Sequence, residues 1–301
     1  MRSDSSSPNP VSRGWRLLAL AAFALALAAC STVRLGYNHA DTYVLYSLND
    51  YLDLSDEQEE LARQRVSSLL TWHRSTQLRD YAAFVEAARS RLEGPVSADD
   101  VLEFNSELNA RLIALGDRLS PDFAQLALSL KPEQIDRLAK RFGESASKAR
   151  RELVRANPRE NLDERVQKTA ERAEYWFGAL TRPQMDAVRA SLASRPANDH
   201  WWLEERERRQ RDLVTLLRRI QTERPSEAVA ARWIRGYFAQ IALPPEPERR
   251  AQLDAFRRGN AELIAQLVNR STPEQRTALS RKLGGFAQDF VALAAQAPGS
   301  G

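Results

Sequence analysis

With 44 basic and 40 acidic side chains in 301 residues, a net of +4, the chain is too evenly charged for composition to mark it as a nucleic-acid binder. Its single cysteine excludes an internal disulfide framework, and twelve glycines with few β-branched runs argue against sheets. Only five basic residues are lysine (131, 140, 148, 168 and 282), and this arginine-heavy, alanine-rich usage reflects codon bias more simply than a polyanionic partner.

The first element is a signal. Arg13 and Arg16 flank an uninterrupted apolar run from Leu17 to Ala29, and Leu27-Ala28-Ala29-Cys30 places small residues ahead of a cysteine. That is the pattern of a removable lipoprotein signal over residues 1–29, and the run is too short to span a bilayer comfortably. The expectation is that the Cys30 thiol takes a diacylglyceryl group, the preceding peptide is removed, and Cys30 becomes the acylated N-terminus. Several acyl chains hold such a protein on its membrane effectively permanently. Ser31, where an aspartate would retain a lipoprotein in the inner membrane, favours the inner leaflet of the outer membrane, with the chain facing the periplasm. The expected partners are therefore the membrane, through lipid on Cys30, and an envelope protein; nucleic acid belongs to another compartment. Three arginines and one aspartate precede Cys30, so the mature chain carries 41 basic and 39 acidic residues.

Beyond Cys30 every periodic segment has the helical period, and the breaks fall at Pro, Gly, Asn or Ser. The predicted helices begin with an aromatic-rich one from Ala40 to Leu52, followed by Asp56 to His73 and by Thr76 to Leu92. From Ser97 to Arg118 the stripe is Val101, Phe104, Leu108, Leu112 and Leu115, and Ser120-Pro121 opens a short helix ending near Leu130. Pro132 to Leu180 is the most regular stretch. Its seams are Ile135, Leu138, Phe142, Ala149 and Leu153, then Leu162, Val166, Thr169, Ala173, Trp176 and Leu180. They predict a long antiparallel hairpin turning at Ala156-Asn157-Pro158. Between Arg137 and Arg172 lie eleven basic and six acidic residues, a solvated face first and a weakly basic arm for anionic lipid or another polymer second. Helices follow over Arg182 to Ala193, over Trp202 to Gln221 and around Trp233. After the linker Leu243-Pro244-Pro245-Glu246-Pro247 come two last helices. Residues 30–297 thus read as one all-α, elongated multi-helix bundle without a sheet, and 298–301 as a disordered tail.

One short pattern recurs at four helix starts: Leu54-Ser55-Asp56-Glu57-Gln58, Leu130-Lys131-Pro132-Glu133-Gln134, Leu180-Thr181-Arg182-Pro183-Gln184 and Ser271-Thr272-Pro273-Glu274-Gln275. The intervals of 76, 50 and 91 residues rule out a solenoid. Its physical content is capping: Ser55, Thr181 or Thr272 accepts from a first-turn amide, Gln58, Gln184 or Gln275 reaches back, and proline at the first helical position gives up an amide that lacked a partner. The motifs also look like the Leu-Thr-x-x-Gln motifs of small periplasmic helical stress chaperones, with Leu180-Thr181-x-x-Gln184 a full match. Capping accounts for all four without any function.

For catalysis the inventory is thin. His39, His73 and His200 are far apart in sequence, and no zinc-protease helix, phosphate loop, nucleophile elbow or calcium loop is present. No metal or cofactor is expected. Arg206 and Arg209 fall on the same helical face as Trp202 and need carboxylates if that face is buried. Asp50 and Asp53, with His73 and Arg74 nearby, are the expected partners in a buried ion-pair lock. Such a network perturbs charges without catalysing anything.

Leu35-Gly36-Tyr37-Asn38, the run Asp50 to Gln58, Trp72-His73-Arg74, Tyr81, Leu180-Thr181-x-x-Gln184 and Trp202-x-x-x-Arg206 together resemble a proteobacterial family of helical lipoproteins known only as a domain of unknown function. The resemblance implies an outer-membrane lipoprotein with an all-helical fold and supplies no catalytic residues. The sequence therefore points to a non-enzymatic envelope lipoprotein with a binding, structural or assembly role, or alternatively to a chaperone-like stress protein that holds unfolded clients. Cys30→Ser is expected to leave an unlipidated, uncleaved precursor. Maturation of that variant to the wild-type mass, in the outer-membrane fraction, would overturn the signal.

Overall fold

The computed structural model describes residues 33–154, 158–195 and 199–296, which are helical nearly throughout with no strand among them. A short helix α1 (33–38) leads into α2 (Ala40–Leu52), α3 (Asp56–Thr76), α4 (Leu78–Arg91) and the long α5 (Ala98–Ser129). Then come α6 (Pro132–Val154), α7 (Pro158–Phe177), α8 (Arg182–Ala193), α9 (Asp199–Glu223), α10 (Glu227–Ala242), α11 (Pro247–Asn269) and α12 (Pro273–Ala295). Capping boxes open α3 at Ser55, α5 at Ser97, α8 at Thr181 and α12 at Thr272, so local chemistry sets these four starts. Cys30 and the tail from Pro298 lie outside the described residues.

The second half of the chain folds back antiparallel along the first. On α6 and α9, Arg150 meets Glu207 near one end and Asp136 meets Arg218 near the other, so one number rises as the other falls. On α5 and α10 the same order runs through Asp117 with Arg235 and Gln125 with Glu227. Tyr81 against Phe290 and Arg89 beside Gly284 set α4 against α12 in like manner. At Gly116 an added Cβ would sit 3.2 Å from the Cβ of Phe238; glycine lets α10 settle onto α5.

Two apolar cores result, and α5 runs through both. Leu52, Ala124, Leu130, Ile135, Leu138, Leu217, Ile220 and Ile234 form one, while Leu92, Val101, Val166, Phe177, Val188, Leu263, Leu267 and Leu279 form the other. A smaller third cluster joins Leu78 and Leu293 with Tyr37, Tyr81 and Phe290.

This packing corrects two sequence expectations. The seams of α6 and α7 do not face each other: Ile135 and Leu138 enter the first core, Val166, Ala173 and Phe177 the second. The antiparallel partner of α6 is α9, and α7 lies against α8 and α12. Nor does Pro121 open a new helix, since α5 continues through it. Ser120 is fully buried and its hydroxyl donates to the Gly116 carbonyl at 2.7 Å, one turn back on the same helix.

The four recurring motifs come together in pairs. Gln58 and Gln134, 5% and 8% exposed, exchange amide hydrogen bonds at 3.0 and 2.7 Å. Each carbonyl also accepts from a backbone amide of its own turn, Ser55 or Lys131. Each Nε2 reaches a carbonyl that ends the partner's preceding segment: Gln58 to Ser129 at 2.8 Å, Gln134 to Asp53 at 3.0 Å. Gln184 and Gln275 repeat the arrangement. They exchange bonds of 3.0 Å in both directions, their carbonyls accept from Thr181 and Thr272, and Gln275 donates to the carbonyl of Ala179, the position that Asp53 occupies in the first pair. Every amide donor and acceptor is satisfied only when both glutamines are present. Losing one leaves its partner's buried groups short, at about 1–3 kcal/mol beyond the lost cap. A double-mutant cycle with Gln184→Ala and Gln275→Ala, read by urea unfolding, should return a coupling of about 1–3 kcal/mol, and additive losses would refute the reciprocal pair.

Candidate functional site

Beside the second core lies an open cavity of about 960 Å³. Phe84, Ala88 and Leu92 of α4, Val101 and Phe104 of α5, Leu263 and Leu267 of α11, and Leu279 and Leu283 of α12 supply its apolar surface. Trp202 and Phe256 meet edge to face at 4.9 Å on its wall, and Phe84 stacks on Phe104 at 4.3 Å. α7 contributes Thr169, Ala173 and Trp176, the stripe that the sequence assigned to a hairpin seam. Its neighbouring stripe Arg165, Lys168 and Arg172, spaced three and four, reaches the same cavity with one turn of charge after another.

Arg195, just past the end of α8, completes the cationic wall. Its Nε donates to the Ser191 carbonyl at 2.9 Å, Nη2 to the Ser191 hydroxyl at 2.8 Å and Nη1 to Asn260 Oδ1 at 3.1 Å. The guanidinium lies on Gly259, where any Cβ would fall 2.4 Å from Nη1. Burial, and then the charge of Arg165, depress its pKa below the usual arginine value, a sign that charge there is poorly compensated.

The ion-pair bookkeeping around the cavity is uneven. Arg91 pairs with Asp100, Lys168 with Glu164 and Glu107 with Arg111. Arg165, Arg172 and Arg195 form no ion pair among the described residues, although the charge of Glu262 reaches Arg195; Glu103 is the one lining carboxylate likewise without an ion pair. The cavity can therefore take an apolar body and meet negative charge at its edge.

The lock expected between Asp50, Asp53, Arg206 and Arg209 is not assembled. Asp50 pairs with Arg141, Asp53 lies 3.7 Å from Arg137, and the exposed Arg206 donates to the Ser145 hydroxyl. Arg209 does meet a buried carboxylate, Glu205 one turn earlier, at 2.6 Å. Glu205 is 4% exposed and also binds Arg208 at 3.0 Å and Arg249 of α11 at 2.6 Å. Burial alone would raise its pKa, but the arginines overcome that and hold it at about 2. The sequence signal was present in the spacing of Glu205 with Arg208 and Arg209 on one helix; only the reach from Arg249 was hidden.

His73 and Arg74 instead bind the opening residues. The Tyr37 hydroxyl and His73 Nδ1 share a hydrogen bond of 2.8 Å, Tyr81 meets the imidazole edge-on at 5.2 Å, and burial depresses the histidine's pKa. Arg74 donates to Asn38 Oδ1 at 2.8 Å and to Gln296 Oε1 at 3.4 Å, clamping both ends of the described chain. Thus Tyr37-Asn38 and Trp72-His73-Arg74, singled out as separate motifs, are two halves of one staple. The cap residues Ser55, Gln58, Thr181, Gln184, Thr272 and Gln275 do close the helix starts. At Thr181 the hydroxyl itself donates to the Gln184 carbonyl at 3.1 Å.

A model for a family of unknown function, DUF6279, matches residues 50–227, more than half of the chain. The chain belongs to that family. The match takes in the first glutamine pair, Trp72-His73-Arg74, Gln184 and the α7 wall, and stops short of Gln275. Searches of curated proteins and of solved structures return no match.

In this DUF6279 chain Glu205 carries the most strongly shifted carboxylate, and its linkage has a definite sign. Because the folded pKa lies below the ordinary 4.5, its contribution is fully present above pH 4.5 and fades as the pH falls toward about 2. Glu205→Ala should cost about 3 kcal/mol at pH 7, the lower end for a broken buried pair because its arginines reach water and Arg208 and Arg249 keep Asp212 and Glu246. Urea unfolding at pH 7 and pH 2.5 should show that difference shrinking in acid; an equal difference at both would rule out the ionised cluster.

Proposed function

We propose that the chain is a membrane-tethered binding protein of the outer envelope, lipid-anchored through Cys30 and facing the periplasm, and that its ligand site is the cavity between α4, α5, α7, α11 and α12. The observation that carries this is the cavity itself: about 960 Å³ of open space with an aromatic and aliphatic lining. Pockets that enclose small ligands are of this size and character, apolar with a few placed polar groups. Among the described residues no helix is long and apolar enough to cross a membrane; what supports a tether is the Leu27-Ala28-Ala29-Cys30 signal.

The Leu-Thr-x-x-Gln likeness no longer argues for client holding, because capping and pairing occupy all four glutamines. A concave apolar wall favours a ligand over a fixed partner docked on a convex charged face. The role is binding, and the mature chain is read as a carrier or sensor of a small apolar molecule.

A solvatochromic apolar dye should bind the mature protein saturably at one site. Thr169→Trp, which fills the cavity from the partly exposed face of α7, should weaken that binding at least tenfold, whereas Tyr46→Trp on the exposed face of α2 should not. Equal dye binding by Thr169→Trp and wild type would remove the cavity as the site. If Thr169→Trp also left suppression of unfolded-protein aggregation intact, the chaperone reading would take its place.

A further inference from the structure

The cavity has a feature that an apolar ligand alone leaves unused. Its lining carries three arginines, Arg165, Arg172 and Arg195, that form no ion pair among the described residues, and they approach from two elements. Other arginines also lack an ion pair, among them Arg224 and Arg276, but those two are spent on backbone carbonyls. Nor is Arg195 a loose surface group. Three hydrogen bonds and the absence of a side chain at Gly259 fix its guanidinium, so it is placed before any ligand arrives. Preorganised donors beside an apolar wall lose little freedom on binding, and guanidinium is suited to planar, bidentate carboxylates and to phosphate.

We propose that the occupant is a single-chain anionic lipid, its acyl chain laid along Trp176, Leu263 and Leu283 and its headgroup received by Arg195 with Arg165 and Arg172. This rests on the cavity being the binding site and adds what it selects. Charge complementarity argues for the head, and the contiguous apolar lining argues for a chain.

The test is displacement of a fluorescent fatty acid from the mature protein by dodecanoate, tetradecanoate and hexadecanoate below their micellar concentrations, with monoacylglycerols of the same lengths as neutral counterparts. Affinity should rise about tenfold for each two methylenes added. The carboxylates should bind about tenfold or more tightly than the monoacylglycerols, and Arg195→Gln should erase that gap while leaving the neutral series unchanged. Because Arg195 also ties Ser191 to Asn260, two further variants guard the result. Gly259→Ala displaces the guanidinium without removing it, and the exposed Arg172→Gln removes charge with no hydrogen bond lost; each should narrow the gap. Equal affinity of charged and neutral lipids, with Thr169→Trp still blocking both, would overturn the headgroup assignment and keep the cavity. Binding insensitive to Thr169→Trp would overturn the cavity and this inference together.

Discussion

A primary amide buried in a protein has two donors and two acceptor positions to satisfy, and the fold depends on four glutamines that do so for one another. Gln58 needs Gln134, and Gln184 needs Gln275. Each is also the reach-back residue of its own helix start, so one side chain fixes where a helix begins and which other helix begins beside it. The first pair sits where Leu52, Leu130 and Ile135 enter one core, the second where Leu267, Leu279 and Val188 enter the other. Apolar packing tolerates sliding between helices; a reciprocal amide pair does not, because a displacement of one turn strands four polar groups.

This explains what could be read from the sequence and what could not. A stripe such as Ile135 and Leu138, or Val166 and Ala173, reports that a face is buried, and both stripes are. It carries no label for its partner. The hairpin followed from assuming that neighbours in sequence pack together, whereas α7 and α8 intervene between α6 and its antiparallel partner α9. Likewise three caps were legible one by one from Ser55, Thr181 and Thr272, but the pairing of the four glutamines spans 76 and 91 residues and leaves no local trace. Pro121 was read as a break because it lacks an amide; what keeps α5 whole is burial of Ser120 and close approach at Gly116, both tertiary.

Charge followed the same logic. Arg206 and Arg209 were assigned distant carboxylates, whereas Arg209 meets the buried Glu205 one turn back on its own helix and Arg206 meets Ser145. The site residues were legible as types and not as a site: Trp176 and Ala173 were in a seam, and Arg165 and Arg172 belonged to a basic arm noted for possible contact with anionic lipid. Only the departure of α7 from α6 turned those adjacent stripes, one apolar and one cationic, into the wall of a cavity.

The placement of that cavity bears on how a tethered protein could use it. The residues nearest Cys30 are held by the staple of Tyr37 and Asn38 on His73 and Arg74, which also captures Gln296 at the end of α12. That end of the α4 and α12 pair carries Leu78 and Leu293, while Leu92 and Leu279 at its other end border the cavity. From Leu78 to Leu92 the helical rise amounts to about 20 Å. With the lipid on Cys30 that we propose and α4 standing upright on the bilayer, the cavity, which runs from Phe84 to Leu92, would begin about 9 Å above the stapled end and reach about 20 Å. A ligand in it would thus be out of the membrane while the protein remained on it. That geometry suits the receipt and handing on of a lipid and is the wrong one for acting on a lipid still seated in the leaflet.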